Sequence, residues 1–132
     1  MSDLNVAVVG ATGLVGSEFL RILEHWTVPI KSLSLYASDR SAGTLLQFQG
    51  SDLRVEETSD DSFKGIDIAL FSAGADVSER FAPVAVRSGA VVVDNSSAFR
   101  MDPDAPLVIP EVNHNDLEKH QGIIANPNCS TI

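Results

Sequence analysis

Three glycines spaced three apart stand in Gly10-Ala11-Thr12-Gly13-Leu14-Val15-Gly16, directly after a short apolar run and at the start of a stretch with helical periodicity. At such a junction each glycine has a use. Gly10 permits a tight turn, Gly13 lets the backbone approach a pyrophosphate, and Gly16 lets the helix pack closely on the sheet. The free N–H groups and the positive end of the helix dipole then face an anion. The pattern is G-x-x-G-x-x-G rather than the commoner G-x-G-x-x-G, and a purely structural turn is the competing reading.

In a dinucleotide site the adenine ribose lies at the end of the second strand, where the chain offers Ser38-Asp39-Arg40-Ser41. Arg40 with two hydroxyls suits a 2′-phosphate, whereas Asp39 suits the free 2′-hydroxyl of NAD. Residue types alone leave both open. The second chemical group is the single cysteine, Cys129, in Asn126-Pro127-Asn128-Cys129-Ser130-Thr131. A lone cysteine is more often buried filler, but these flanks are polar and turn-forming. A helix begun by Ser130 and Thr131 would lower the thiol pKa through its dipole. Arg100 closes Asp94-Asn95-Ser96-Ser97-Ala98-Phe99-Arg100, polar groups placed where α/β folds put ligands; a solvated loop charge is the alternative. His25, His114 and His120 form no motif with Cys129, and no metal-ligand spacing is present.

The elements that must position these residues follow from periodicity. Leu4–Val9 reads as a buried parallel strand, and Gly13 to about His25 as a helix with an apolar stripe. Leu33–Ala37 is a second strand, and Leu45–Phe48 and Leu53–Glu57 form a hairpin across Gly50. Asp67–Ser72, Ala90–Asp94, Leu107–Ile109 and Gly122–Ala125 read as further strands, Val77–Ser88 as a helix, and Asn113–Asp116 as a helix start. Strands alternating with helices predict an α/β fold: Rossmann-like, doubly wound, a mostly parallel sheet with helices on both faces.

Composition narrows the classes. The chain has 132 residues, 44% of them hydrophobic, which fits one domain and argues against disorder. One cysteine excludes an internal disulfide framework. No apolar run approaches the roughly 18 residues of a membrane helix, and the start carries no signal-peptide charge pattern, so the expected location is the cytoplasm. A formal charge of −9 disfavours nucleic acid and anionic lipid as partners.

Six segments, GATGLVG at 10–16, SDRSAG at 38–43, FSAG at 71–74, DNSSAFR at 94–100, PEVN at 110–113 and NPNCST at 126–131, together resemble the aspartate-β-semialdehyde dehydrogenase family, in the family's order and along nearly the whole chain. The related N-acetyl-γ-glutamyl-phosphate reductases carry an NPGCY-type cysteine segment, so Asn128 and Ser130 favour the aspartate family. The resemblance implies that Thr12, Gly13, Leu14 and Val15 hold the NADP pyrophosphate and that Ser38, Arg40 and Ser41 hold its 2′-phosphate. Ser72, Ala73 and Gly74 would line the path to the nicotinamide, with Asn95 close by. Arg100 and Asn128 would bind the phosphate of aspartyl phosphate, and Cys129 would be the nucleophile. Ala75 departs from the family's frequent second glycine and would crowd the cofactor.

The activity so implied is reductive dephosphorylation of L-4-aspartyl phosphate to L-aspartate 4-semialdehyde through a Cys129 thioester, within lysine, threonine and methionine biosynthesis. Family members carry a second, catalytic and dimerisation domain after the cysteine and form homodimers or homotetramers. The expectation is therefore an N-terminal NADP-binding domain over 1–132, inactive alone and exposing apolar surface that the second domain would cover. The alternative is a non-catalytic NADP-binding or sensor module of the atypical short-chain dehydrogenase type. Tyr36, the one tyrosine, is followed at the fourth position by Arg40, so the Tyr-x-x-x-Lys pair of a working short-chain dehydrogenase is missing. Arg100 and Cys129 are residues a sensor would not need.

Overall fold

Strand β1 (Leu4–Val9) shows why its sequence is apolar without alternation. Val6 and Val8 pack on one side with Leu20 and Leu23 of helix α1 (Leu14–Glu24). Ala7 and Val9 pack on the other with Phe81, Ala82 and Ala85 of helix α2 (Ala75–Arg87). A strand covered on both faces has no solvent side to mark with polar residues. The computed structural model describes residues 3–130, so Met1, Ser2, Thr131 and Ile132 lie outside the described residues.

The remaining strands are β2 (Ile30–Ala37), β3 (Leu45–Phe48), β4 (Ser51–Glu57), β5 (Ile68–Phe71), β6 (Val91–Asp94) and β7 (Ile123–Ala125). They form one sheet in the order β3-β4-β2-β1-β5-β6-β7. Every pairing is parallel except β3 with β4. This is the expected doubly wound α/β fold, with α1 and α2 on opposite faces. The β3–β4 hairpin turns on Gln49 (φ 51°) and Gly50 (φ 82°), two left-handed residues in succession, as a two-residue turn between twisted strands requires.

Register aligns the carboxyl ends of the parallel strands. Glu56 pairs with Tyr36, Tyr36 with Val9, Val9 with Phe71, Phe71 with Asp94, and Asp94 with Ala125. The residues that follow this row form a rim along one edge of the sheet. The strand order reverses at β1, whose two neighbours are β2 and β5, and a crevice opens at such a switch point.

Several boundaries differ from the sequence expectation. β2 begins at Ile30, not Leu33, because pairing with β1 recruits polar residues: Ile30 pairs Leu4, and the Ser32 hydroxyl donates to Asn5 Oδ1 at 2.7 Å. α2 begins at Ala75, two residues before Val77. The expected strand Leu107–Ile109 is a single bridge from Leu107 to Ala125. The Val108 N–H donates to the Ala125 carbonyl at 3.1 Å and the Ala125 N–H to the Pro106 carbonyl at 2.9 Å, but the next rungs would need N–H groups from Pro110 and Pro127, which have none. On the other edge the Asn113 amide donates to the Leu107 carbonyl at 2.8 Å and its oxygen accepts from the Ile109 N–H at 2.8 Å. The helix there starts at Pro110, not Asn113: α3 spans Pro110–Asn113 and passes into a 3-10 turn over His114–Lys119. Proline suits a first helical position because its missing N–H would have no helical partner anyway.

Candidate functional site

The glycine turn is held by backbone on three sides. The N–H groups of Gly10 and Ala11 donate to the Tyr36 carbonyl at 2.8 and 3.1 Å, fastening the turn to the end of β2. Gly10 has φ +88°, and a Cβ there would lie 2.6 Å from the Ser72 carbonyl oxygen at the end of β5. A Cβ at Gly16 would collide with the Gly10 carbonyl oxygen and sit 2.9 Å from Ala11 Cα. Gly16 thus packs the helix against the turn itself rather than against the sheet. Gly13 differs: φ is −78°, and a Cβ would meet only the Gly10 carbonyl oxygen at an ordinary 3.6 Å. Its lack of a side chain therefore leaves an outward face of backbone bare, as close approach of a pyrophosphate requires.

Gly13 caps α1 without a side-chain hydrogen bond, and the first turn carries no acidic residue. The N–H groups of Leu14, Val15 and Gly16 are the first-turn donors that an α-helix cannot satisfy internally. They open beside a cleft of about 630 Å³ along the rim. Gly10, Thr12, Gly13, Ser38, Ser72 and Ala73, all singled out in the sequence, line this cleft. The Ser72 hydroxyl is buried there with no hydrogen-bond partner among the described residues. An orphaned polar atom of this kind calls for a ligand group or water. The Thr12 hydroxyl donates to Ser41 Oγ at 3.3 Å, tying the glycine turn to the loop after β2.

Other expected cofactor residues lie around the cleft rather than in its wall. Leu14, Val15 and Gly16 form the helix start, Arg40 is exposed on the loop, and Gly74 (φ +95°) caps α2. Ala75 is the first residue of α2 and is likewise outside the lining, so its methyl does not narrow this cleft. Asn95 leaves β6 with its N–H donating to the Phe71 carbonyl at 2.9 Å. In the wall stand Ala37, Asp39, Glu57, Thr58, Val77, Arg80 and Phe81, of which only Asp39 was singled out from sequence. Glu57 and Thr58 arrive because β4 pairs with β2, and Arg80 because α2 covers that face. Neither fact has a local sequence signal.

Tyr36, beneath the turn, packs against Phe63 at 6.2 Å between ring centres. Burial pushes its phenol pKa up, with a smaller contribution from Glu56, and hydrogen bonds to Ser34 and Ser62 oppose the rise.

Further along the rim, side chains join the loops. Asp94 is fully buried; its Oδ1 accepts from the Ser78 hydroxyl of α2 at 2.7 Å and from the Ser96 N–H at 3.0 Å, and its Oδ2 from the Ser96 hydroxyl at 2.8 Å. Arg100 is half-buried: Nε donates to the Asn126 carbonyl at 2.7 Å and Nη2 to the Asn95 carbonyl at 3.1 Å. Arg100 therefore bridges the loops after β6 and β7 rather than lying free in solvent. The Asn128 Oδ1 accepts from the N–H and the hydroxyl of Ser130, at 2.9 and 2.8 Å. Cys129 is a free, exposed thiol between them. A helix from Ser130 and Thr131 would run through Thr131, outside the described residues. Among the described residues no cluster of three or more His, Cys, Asp or Glu is placed to hold a metal, and no helix is long and apolar enough to cross a membrane.

Residues 5–120 match the family described as semialdehyde dehydrogenase, NAD binding domain. The chain is 59% identical over 129 residues to the aspartate-semialdehyde dehydrogenase of Bacillus subtilis, covering 98% of this chain and 37% of that protein. It is 58% identical over 130 residues to that of Aquifex aeolicus, covering 96% and 38%. The chain thus spans 37–38% of the length of these curated relatives. A crystal structure of aspartate semialdehyde dehydrogenase II from Vibrio cholerae superposes with a TM-score of 0.95 at 46% identity, over 99% of this chain and 40% of that one. The Candida albicans aspartate semialdehyde dehydrogenase, crystallised with NADP, gives 0.77 at 27% identity, over 98% and 44%.

Proposed function

The chain belongs to the semialdehyde dehydrogenase family, whose NAD binding domain it carries, and from that premise we propose that residues 1–132 are the NADP-binding domain of an aspartate-semialdehyde dehydrogenase. The reaction is reductive dephosphorylation of L-4-aspartyl phosphate to L-aspartate 4-semialdehyde, in cytoplasmic lysine, threonine and methionine biosynthesis, by a homodimer or homotetramer. One observation carries the cofactor reading: a glycine turn packed backbone to backbone opens first-turn N–H groups beside a cleft that holds the orphaned Ser72 hydroxyl. A pyrophosphate would satisfy the N–H groups of Leu14, Val15 and Gly16, with Thr12 and Gly13 at the turn. Ser38, Arg40 and Ser41 would hold the 2′-phosphate, and Ser72, Ala73, Gly74 and Asn95 would border the nicotinamide end. When bound, NADPH supplies the hydride that converts an acyl carbon to an aldehyde.

Cys129, exposed on the loop after β7, has the access a nucleophile needs. Its thiolate attacks the β-carbonyl carbon of the acyl phosphate, a C–S bond forms, the C–O bond to phosphate breaks, and inorganic phosphate leaves. After reduction the C–S bond breaks, the thiolate is restored and the semialdehyde departs. Covalent capture divides one difficult step into two easier ones. Arg100, which joins the loops after β6 and β7, and Asn128, the residue before Cys129, would receive the phosphate. The planar fork of Arg100, with Nε and Nη2 already anchored on carbonyls, has N–H groups left for an anion.

Calorimetric titration of the chain with NADP and with NAD tests the reading. NADP is expected to bind more tightly than NAD, and Arg40→Ala to narrow that preference. Uptake of neither dinucleotide would refute the cofactor assignment.

A further inference from the structure

Among the described residues Arg80 is the one basic side chain in the wall of the cleft, which also contains the acidic Asp39 and Glu57. A dinucleotide brings several negative charges into this space, and Arg40 lies outside the wall. The fork of Arg80 is oriented but loosely engaged. Its guanidinium lies over the Phe81 ring at 4.7 Å, and Nη2 meets Asp60 Oδ1 at 3.5 Å, with both side chains about two-thirds exposed. Exposed ion pairs of this length contribute little and yield readily to a better anion.

The position of Arg80 identifies the end of the ligand it faces. Asp60 lies two residues beyond Thr58, on the segment leaving β4, and β4 pairs with β2 through Leu35, Tyr36 and Ala37. Arg80 therefore points to the β2–β4 side of the cleft, where the adenosine half of a dinucleotide lies, and away from the β5–β6 side. Resting on the cofactor reading above, we infer that Arg80 is a specificity-determining residue: it leaves Asp60 to pair with the adenosine 2′-phosphate and so separates NADP from NAD. Asp39 and Glu57 strengthen the need for it. Their charges repel a phosphate at that end, so a cation within the wall adds to the pull of Arg40 on the phosphorylated cofactor. The guanidinium fits because its planar fork forms paired, charge-assisted bonds to phosphate oxygens, with the Phe81 ring centre 4.7 Å from it.

The test is calorimetric titration of NADP and NAD into the chain and into Arg80→Gln and Asp60→Asn, with urea midpoints to verify folding. Arg80→Gln is expected to weaken NADP roughly tenfold or more and to leave NAD within about twofold. Asp60→Asn, which removes the competing carboxylate, is expected to tighten NADP about two- to threefold. Equal weakening of both dinucleotides by Arg80→Gln would mean stacking on the base and would overturn the inference, as would unchanged NADP affinity. If the unsubstituted chain binds NADP but Arg80→Gln is silent, the cofactor reading survives alone. If it takes up neither dinucleotide, that reading falls and this inference with it.

Discussion

Between β2 and β5 the rim is assembled from backbone lying on backbone, with the Gly10 turn pressed against Ser72 and against the first turn of α1. Between β6 and β7 the same rim is assembled from side chains, with Asp94 tying α2 to the Ser96 loop and Arg100 joining the carbonyls of Asn95 and Asn126. The contrast is physical. Backbone packing depends on the absence of atoms at Gly10 and Gly16 and is insensitive to charge. Side-chain joints depend on charge and hydrogen bonding, and they leave a reactive group such as Cys129 in the open.

Substitutions at either end break or sharpen that contrast. Gly16→Val is expected to have the largest effect: its side chain collides with the turn, costing about 3 kcal/mol or more of stability in urea denaturation and abolishing NADP uptake. Gly13→Ala, three residues earlier, should change stability by no more than about 1 kcal/mol while still weakening NADP, because its Cβ meets ligand space rather than protein. If the two variants lost equal stability, the distinction between a packing glycine and a ligand-facing glycine would be wrong.

Asp94→Ala attacks the side-chain end. It leaves the Ser78 hydroxyl and Ser96 N–H unpaired in a buried place, and a loss of about 2–3 kcal/mol by urea denaturation is expected. Arg100→Ala removes two charge-assisted bonds from a half-buried site and should cost about 1–2 kcal/mol, with faster proteolysis of the loops it joins. NADP affinity should stay within about twofold, because Arg100 lies outside the cofactor cleft. The smallest effect is one of pH. Burial raises the Tyr36 pKa, so the folded chain holds that proton more tightly than the unfolded chain. The corresponding stability is complete below the ordinary tyrosine value of about 10 and is lost as pH rises through the raised one. Tyr36→Phe should flatten the thermal-unfolding profile above pH ~10.

The glycine turn, β1, α1, the β3–β4 hairpin and the α/β class were legible from residue order alone. Each rests on short-range rules: an unbroken apolar run for a strand covered twice, a stripe at helical spacing, left-handed residues at a tight turn. The Leu107 segment was misjudged for the same reason. Its apolar residues suit a strand, but the next rungs towards β7 fall on Pro110 and on Pro127 of the neighbouring segment, which have no N–H to give.

The candidate site divides along the same line. Sequence by itself determined which residues carry reactive or anion-binding groups, since a thiol at Cys129, a guanidinium at Arg100 and bare backbone at Gly13 are properties of single residues and their neighbours. Only the tertiary structure decided which of them share a space. That Glu57, Thr58 and Arg80 face the cleft, while Arg40 stands outside its wall, follows from β4 lying beside β2 and α2 covering the opposite face from α1. Strand order joins residues far apart in the chain through long-range burial, and no local pattern encodes that.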